Sequence, residues 1–113
     1  MNILEETAAL VTGLGLPVET GVFSAEAPDT YCVLTPLGDT YGLFSGDMPG
    51  IETQEVRVSL YSKNNYLQTK KALESALLRA SFTVTQRLYI AREDTTGYHH
   101  IAIDVAKIYP LED

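Results

Sequence analysis

The sequence has one cysteine, no tryptophan and no long hydrophobic run. A lone Cys32 cannot form a disulfide within the chain, and its place in the apolar run Tyr31-Cys32-Val33-Leu34 predicts a buried thiol. A nucleophilic thiol would need a neighbouring base or a helix N-terminus, and the local sequence offers neither. No apolar run approaches the roughly 20 residues that span a bilayer, and the N-terminus lacks the pattern of a secretory signal. We therefore expect a cytoplasmic protein with no membrane partner.

Positive charge is also scarce, because 8 Lys and Arg face 15 Asp and Glu and the formal net charge is −7. Proteins that bind nucleic acid neutralise phosphates with cations. A chain without a cluster of Lys or Arg is not expected to bind nucleic acid directly. The acidic residues are spread along the chain from Glu5 to Asp94 rather than gathered in a tail. We expect them to favour solubility and to influence self-association.

Recognisable catalytic motifs are missing. There is no Gly-x-Ser-x-Gly motif, and Gly13-Leu14-Gly15 lacks the third glycine of a dinucleotide-binding loop. His99 and His100 are neighbours in a predicted strand, so they point to opposite faces and one metal ion would not take both. We predict no catalytic residue, no metal site and no cofactor. The alternative is a metal or acid–base site in which His100 is joined by Asp104 or Asp94.

The clearest pattern in the chain is a strand that leads directly into a helix. Val56, Val58 and Leu60 alternate with polar residues, which is typical of a strand with one buried face. Asn65 and Gln68 then have the spacing of a capping box, and apolar residues follow at helical intervals. This unit favours an α+β fold, and the length of the chain suggests a single domain over residues 1–113.

The remaining elements complete this prediction. A first helix is expected to begin after Asn2 as N-cap, with Glu5 as its capping-box partner. We predict an antiparallel sheet of about five to six strands packed by two helices, in the order α-β-β-β-β-α-β-β. The predicted helices cover residues 3–12 and 66–79, and the predicted strands cover 18–23, 30–35, 40–45, 52–62, 81–92 and 98–108.

A stretch with a glycine at every fourth position, between Pro36 and Pro49, predicts a hairpin arm. We expect its turn at residues 47–50, because Pro-Gly suits the two central positions of a type II turn. If the arm projects from the fold, its apolar side chains form a contact site for another subunit. If it is a plain meander, they pack on their own sheet. The side chains concerned are Tyr41, Leu43, Phe44 and Met48.

Two further apolar residues join this candidate assembly interface. Leu67 and Leu78 lie on one side of the second predicted helix, beside its core stripe, and either the first helix or a partner covers them. The seven tyrosines also have two interpretations. They pack within an ordinary sheet, or they line a protein-binding surface, since Tyr combines a large apolar area with one polar tip.

The layout resembles that of a known family, the small phage tail-completion proteins, also called tail-terminator or minor tail proteins, of prophage type. The resemblance covers nearly the whole chain and depends on element order and apolar patterning. The stretches that resemble the family are Leu14-Gly15-Leu16-Pro17 with the strand after it, Tyr31-Cys32-Val33-Leu34, residues 55–64 running into residues 70–77, and the closing hairpin through residues 99–104.

This resemblance implies a structural protein rather than an enzyme, with no cofactor. Such proteins form a ring, commonly a hexamer, which caps the tail tube or joins the tail to the head connector. The implied partners are other copies of the chain and other phage tail or connector proteins. The implied location is the bacterial cytoplasm during assembly and then the virion tail. Ring contacts in this family involve loops and sheet edges, which in this chain would point to the arm at residues 40–50.

Two other functions remain open from the residues alone. A module that binds a small ligand or a peptide would use a tyrosine-lined sheet face and would show a deep apolar pocket. An enzyme would bring His100, Asp104 and a tyrosine together in one cleft.

Overall fold

A computed structural model describes residues 2–22 and 26–111, and these form a five-stranded mixed sheet with two helices. The elements in chain order are α1 (Ile3–Gly13), β1 (Val18–Thr20), β2 (Thr30–Gly42), β3 (Ile51–Ser62), α2 (Tyr66–Arg79), β4 (Thr83–Arg92) and β5 (His99–Pro110). The strands lie side by side in the order β1-β2-β3-β5-β4. β1 runs parallel to β2, and every other neighbouring pair is antiparallel.

The α+β prediction is confirmed, with two corrections to the sheet. One pair of strands is parallel, and there is one strand fewer before α2 than predicted, because β2 is a single long strand. β2 continues through Pro36. β1 pairs with β2 only at residues 32–34, so beyond residue 34 β2 lies at the edge of the sheet. A register shift between Pro36 and Gly38 marks a bulge at the same point. Edges and bulges are where a sheet tolerates proline, which has no N–H to donate.

Both helices cover the same face of the sheet. The buried side chains on that face come from alternate positions of β2, β3 and β5, as the strand period requires. Ile101, Ile103 and Val105 are the alternate positions of β5 that point into this core. The core residues are Ile3, Val11, Cys32, Leu34, Val56, Val58, Leu60, Leu73, Leu77, Phe82, Ile101, Ile103 and Val105.

The two predicted helix caps have different outcomes. At α1 the capping box is formed, because the Asn2 side chain accepts from the backbone N–H of Glu5 and the Glu5 carboxylate accepts from that of Asn2. At α2 the Asn65 side chain makes no capping hydrogen bond, so that prediction is wrong. The Ser62 hydroxyl instead accepts from the backbone N–H of Asn64 in the connecting loop. The bounds of α2 are nevertheless those predicted.

β4 contains two register shifts, between Val84 and Gln86 and between Tyr89 and Ala91. Each bulge moves the following side chains to the other face of the sheet. Leu88 therefore lies opposite Ala102, on the face away from the helices. Val84 lies opposite Val105 on the helix side, so the two residues lie on different faces, although an unbroken strand would place them on one.

β1 ends at Thr20, earlier than the predicted strand over residues 18–23, and the last residue of that prediction lies outside the described residues. β5 ends at Pro110, two residues beyond the predicted strand over residues 98–108. Among the described residues, no helix is long and apolar enough to cross a membrane.

Candidate functional site

The long axis of the molecule is produced by an arm, which we define as residues 36–55 of β2, the connecting loop and β3. The molecule measures 54 × 26 × 24 Å, and its radius of gyration is 15.4 Å, against about 13 Å for a compact chain of this length. β5 pairs with β3 along the arm, from Ala106 opposite Glu55 to Pro110 opposite Ile51. The arm is therefore three strands wide along much of its length.

The arm closes through a tight turn at residues 45–48, and the predicted turn at residues 47–50 is wrong. The backbone N–H of Ser45 donates to Met48 O at 2.8 Å, and that of Met48 donates to Ser45 O at 3.2 Å. Gly46, with a φ of +64°, occupies the first central position of the turn. A positive φ at that position is typical of the type II′ turn, which suits the twist of a hairpin.

The apolar side chains predicted for the arm are exposed at its outer end. Tyr41, Leu43, Phe44 and Met48 have 59, 73, 61 and 69% of their surface accessible. They lie together in the last residues of β2 and the loop that follows it. Side chains of this size are normally exposed singly, and a group of them is typical of a contact surface.

Leu67 and Leu78 lie on a second surface, and the structure does not bring them to the arm. α1 leaves both more than half exposed, so the hypothesis that α1 covers them is wrong. Each lines a depression between α2 and the edge strand β4, and we call these two depressions the α2–β4 groove. The first has a volume of about 200 Å³, and its wall includes Tyr66, Leu67, Lys70 and Tyr89. The second has a volume of about 300 Å³ and is lined by Glu74, Leu78, Val84 and Arg87.

The sheet face away from the helices has a row of stacked rings. Tyr31, Tyr61 and His100 are register neighbours on three adjacent strands. The Tyr31 and Tyr61 rings lie 4.9 Å apart at 10°, and the Tyr61 and His100 rings lie 4.3 Å apart at 17°. Tyr98 meets Tyr31 edge-on, and its hydroxyl donates to Pro28 O at 2.6 Å. The rings stack on one another across the strands, so Tyr61 is stacked against both of its neighbours.

Burial controls the charge state of this row. It raises the pKa of Tyr31 and of Tyr61. Burial also lowers the pKa of His100, as does the positive charge of Arg57, while Glu93 acts in the opposite direction. The three rings are therefore favoured in their neutral forms near neutral pH. Burial similarly raises the pKa of the Cys32 thiol to about 12, which agrees with its predicted burial.

The structure does not assemble the alternative site built on His100 and Asp104. His99 lies on the helix side, where its Nδ1 is 2.9 Å from the Tyr89 hydroxyl, so the two histidines do point to opposite faces. Asp104 is four residues from His100 along β5, a separation of about 13 Å. Its carboxylate accepts two hydrogen bonds from Arg57, at 2.8 and 3.0 Å. Within residues 2–22 and 26–111, no group of three His, Cys, Asp or Glu could hold a metal ion.

The segregation of charge is a feature that the sequence contains and that the reasoning above missed. The chain has no Lys or Arg before Arg57. The arm contains Asp39, Asp47, Glu52 and Glu55, without a cation among them. Residues 66–92, which form α2 and β4, contain five Lys and Arg against the single acidic residue Glu74. Counting charge separately for the two halves of the chain would have found this difference.

Comparison with known proteins identifies the fold. No family model and no curated protein sequence matches the chain. A chain of a solved structure, described as the virion of a native gene transfer agent particle, superposes with a TM-score of 0.51. The two are 14% identical, and the match covers 92% of this chain and 86% of that one. A second solved structure is 13% identical, with a TM-score of 0.49 over 98% of this chain and 89% of the other. At this identity, the first match shows a shared fold.

Proposed function

We propose that the chain is a structural, non-enzymatic protein of a phage-like particle, in which it acts as a tail-completion protein. In this role it assembles with copies of itself into a ring at the tail end or at the head–tail junction. Its other partners are tail or connector proteins, and it assembles in the bacterial cytoplasm before it enters the virion tail.

The observation that carries this proposal is the arm, which exposes four large apolar side chains at its outer end. Exposed apolar side chains do not stabilise an isolated domain. A subunit that buries them against a neighbour is stabilised by about 25 cal/mol for each Å² of apolar surface removed from water. The fold shared with a chain of a gene transfer agent virion supports the same class of protein.

The peptide-binding alternative has less support. A recognition site of that kind is a concave pocket with a few convergent polar groups. The tyrosine-rich face instead has rings that are already stacked on one another, and its polar pair Arg57 and Asp104 is already satisfied.

The test is the mass of the purified chain, measured by analytical ultracentrifugation from micromolar to about millimolar concentration, with negative-stain microscopy of the largest species. We expect a defined oligomer that closes into rings. The variant Phe44→Ala/Met48→Ala should remain folded and shift towards monomer, whereas Val22→Ala, at an exposed residue outside the arm, should behave like the parent. A parent chain that is monomeric over the whole range contradicts the proposal.

A further inference from the structure

We infer that the arm of one copy docks into the α2–β4 groove of the next copy, so that subunits associate head to tail. The inference rests on the proposed self-assembly and names the two surfaces that meet. It is drawn from the apolar character, the charge and the position of each surface.

The arm combines an apolar end with negative charge. Phe44, Leu43 and Met48 are exposed around the turn. Asp47 lies within the turn itself, and Asp39 lies in β2 nearby. A surface that accepts this arm must supply an apolar recess and positive charge, because carboxylates buried against apolar or acidic surroundings would lose hydration without compensation.

The α2–β4 groove supplies both. Its recesses are lined by Leu67, Leu78 and Val84, and the two leucines are more than half exposed in the isolated chain. Lys70 and Arg87 border the recesses, and both lie 3.4 Å from the one carboxylate of Glu74. Two cations thus share one anion, and the groove keeps a positive charge that an acidic segment can neutralise.

β4 itself is poorly suited to the simplest alternative, the addition of a strand to the sheet edge. Its two bulges interrupt the ladder, and the strand carries the charged residues Arg87 and Arg92. Bulges and charged residues are the features with which sheets block edge-to-edge pairing. The groove beside the strand therefore offers a better contact than the strand's own backbone.

The two surfaces differ within one chain, so the contact is heterologous. β2, with the arm, lies near one edge of the sheet, and β4 forms the other edge. A copy that uses its arm on one neighbour keeps its own groove free for another. Contacts of this kind produce a closed ring when the rotation between subunits closes, and an open filament when it does not.

Cross-linking between variants that each carry one added cysteine tests the pairing directly. Phe44→Cys and Leu78→Cys are mixed in equal amounts and treated with a mild oxidant; the native Cys32 is fully buried and does not compete. We expect the mixture to give at least tenfold more cross-linked dimer than either variant alone. Val22→Cys is the control for the arm. Ala72→Cys is the control for the groove, because it is exposed on α2 about 120° round the helix from Leu78.

Loss of association in paired variants provides a second test. We expect the arm variant Phe44→Ala/Met48→Ala and the groove variant Lys70→Glu/Leu78→Glu each to associate at least 30-fold more weakly, the loss typical of an interface hot spot. An equimolar mixture of the two retains one intact arm and one intact groove in each pair. The mixture should therefore form dimers and stop there. Circular dichroism confirms that both variants are folded.

The outcomes separate this inference from the function proposed above. If the parent chain forms oligomers while Phe44→Cys links mainly to itself, or while the groove variant associates normally, the docking inference is overturned and the assembly proposal stands. If the parent chain is monomeric up to about millimolar concentration, both fail. Dimers in the mixture of variants, together with the arm–groove cross-link, support both.

Discussion

Arg57 and Asp104 form a bidentate ion pair on the sheet face away from the helices. The guanidinium donates through Nε and Nη2 to the two carboxylate oxygens, a bidentate geometry that is stronger than a single ionic hydrogen bond. The Asp104 side chain is only 7% exposed, whereas that of Arg57 is 32% exposed. Loss of Arg57 would therefore leave a buried carboxylate, whereas loss of Asp104 would leave a partly exposed guanidinium.

Removing the cation should be the more costly change. Arg57→Leu leaves a buried carboxylate without its partner, and we expect the free energy of unfolding to fall by about 2 kcal/mol. Asp104→Leu costs less, because the freed guanidinium can reach solvent. The double variant should be more stable than Arg57→Leu alone, since it leaves no buried charge without a partner. Urea unfolding of the four proteins checks this, and simple addition of the two single losses would show that the residues are not coupled.

His100 should make stability depend on pH below neutrality. Burial and the Arg57 charge hold its pKa below the usual 6.5 in the folded state, so folding favours the neutral ring. The stabilisation is present above pH 6.5 and is lost as the pH falls towards the lowered pKa. Between about pH 8 and pH 5, the parent should lose more unfolding free energy than His100→Phe, which keeps the stack on Tyr61. Parallel curves for the two proteins would contradict the prediction.

At the scale of the elements, the sequence predicts what depends on local pattern and misses what depends on register. The α1 capping box and the bounds of α2 depend on residues a few positions apart, and both are as predicted. α1 itself ends one residue later than predicted. The β4 bulges and the continuation of β2 through Pro36 depend on the partner strand, which no local pattern specifies. The stacked row of Tyr31, Tyr61 and His100 was missed for the same reason, since it exists only when three strands are aligned.

The turn of the arm provides a test that is confined to one element. A Cβ on Gly50 would lie 2.9 Å from the carbonyl oxygen of Leu43, too close for any side chain. We expect Gly50→Ala to push the two ends of the loop apart, at a cost of about 1 to 3 kcal/mol borne mainly by the arm. Hydrogen exchange should accelerate within residues 36–55 and remain slow in β5 between residues 101 and 105.

Gly13 is the matched control for this change. A Cβ there meets no atom within 4 Å, and its φ is not positive. Gly13→Ala at the end of α1 should therefore be neutral or stabilise the chain by up to about 1 kcal/mol. Faster exchange in the arm of Gly13→Ala, or unchanged exchange in Gly50→Ala, would mean that steric contact at the turn does not hold the arm in shape.

For the whole molecule, the interface role of the predicted residues stays a prediction, and the sequence did not predict how they are grouped. Exposure of Phe44, Met48, Leu67 and Leu78 agrees with the predicted interface residues. Their division between the arm and the groove depends on the strand order, which places β4 beside α2 and away from β2. Because of that order, the acidic first half of the chain and the basic segment of α2 and β4 lie on two separate surfaces.

Salt dependence of self-association distinguishes this arrangement from apolar contact between uniformly acidic subunits. With a net charge of −7 spread evenly, copies repel one another and added salt should strengthen association. If an acidic arm meets a basic groove, salt should weaken it, because the screening length falls from about 10 Å at 0.1 M to about 3 Å at 1 M. We expect the dissociation constant from sedimentation to rise about tenfold over that range. In Lys70→Glu, which reverses a charge at the groove, the dependence should become smaller or reverse, because the groove then repels the arm. A parent chain that associates more tightly at high salt would show that its contacts are apolar alone, since attraction between opposite charges can only lose from screening.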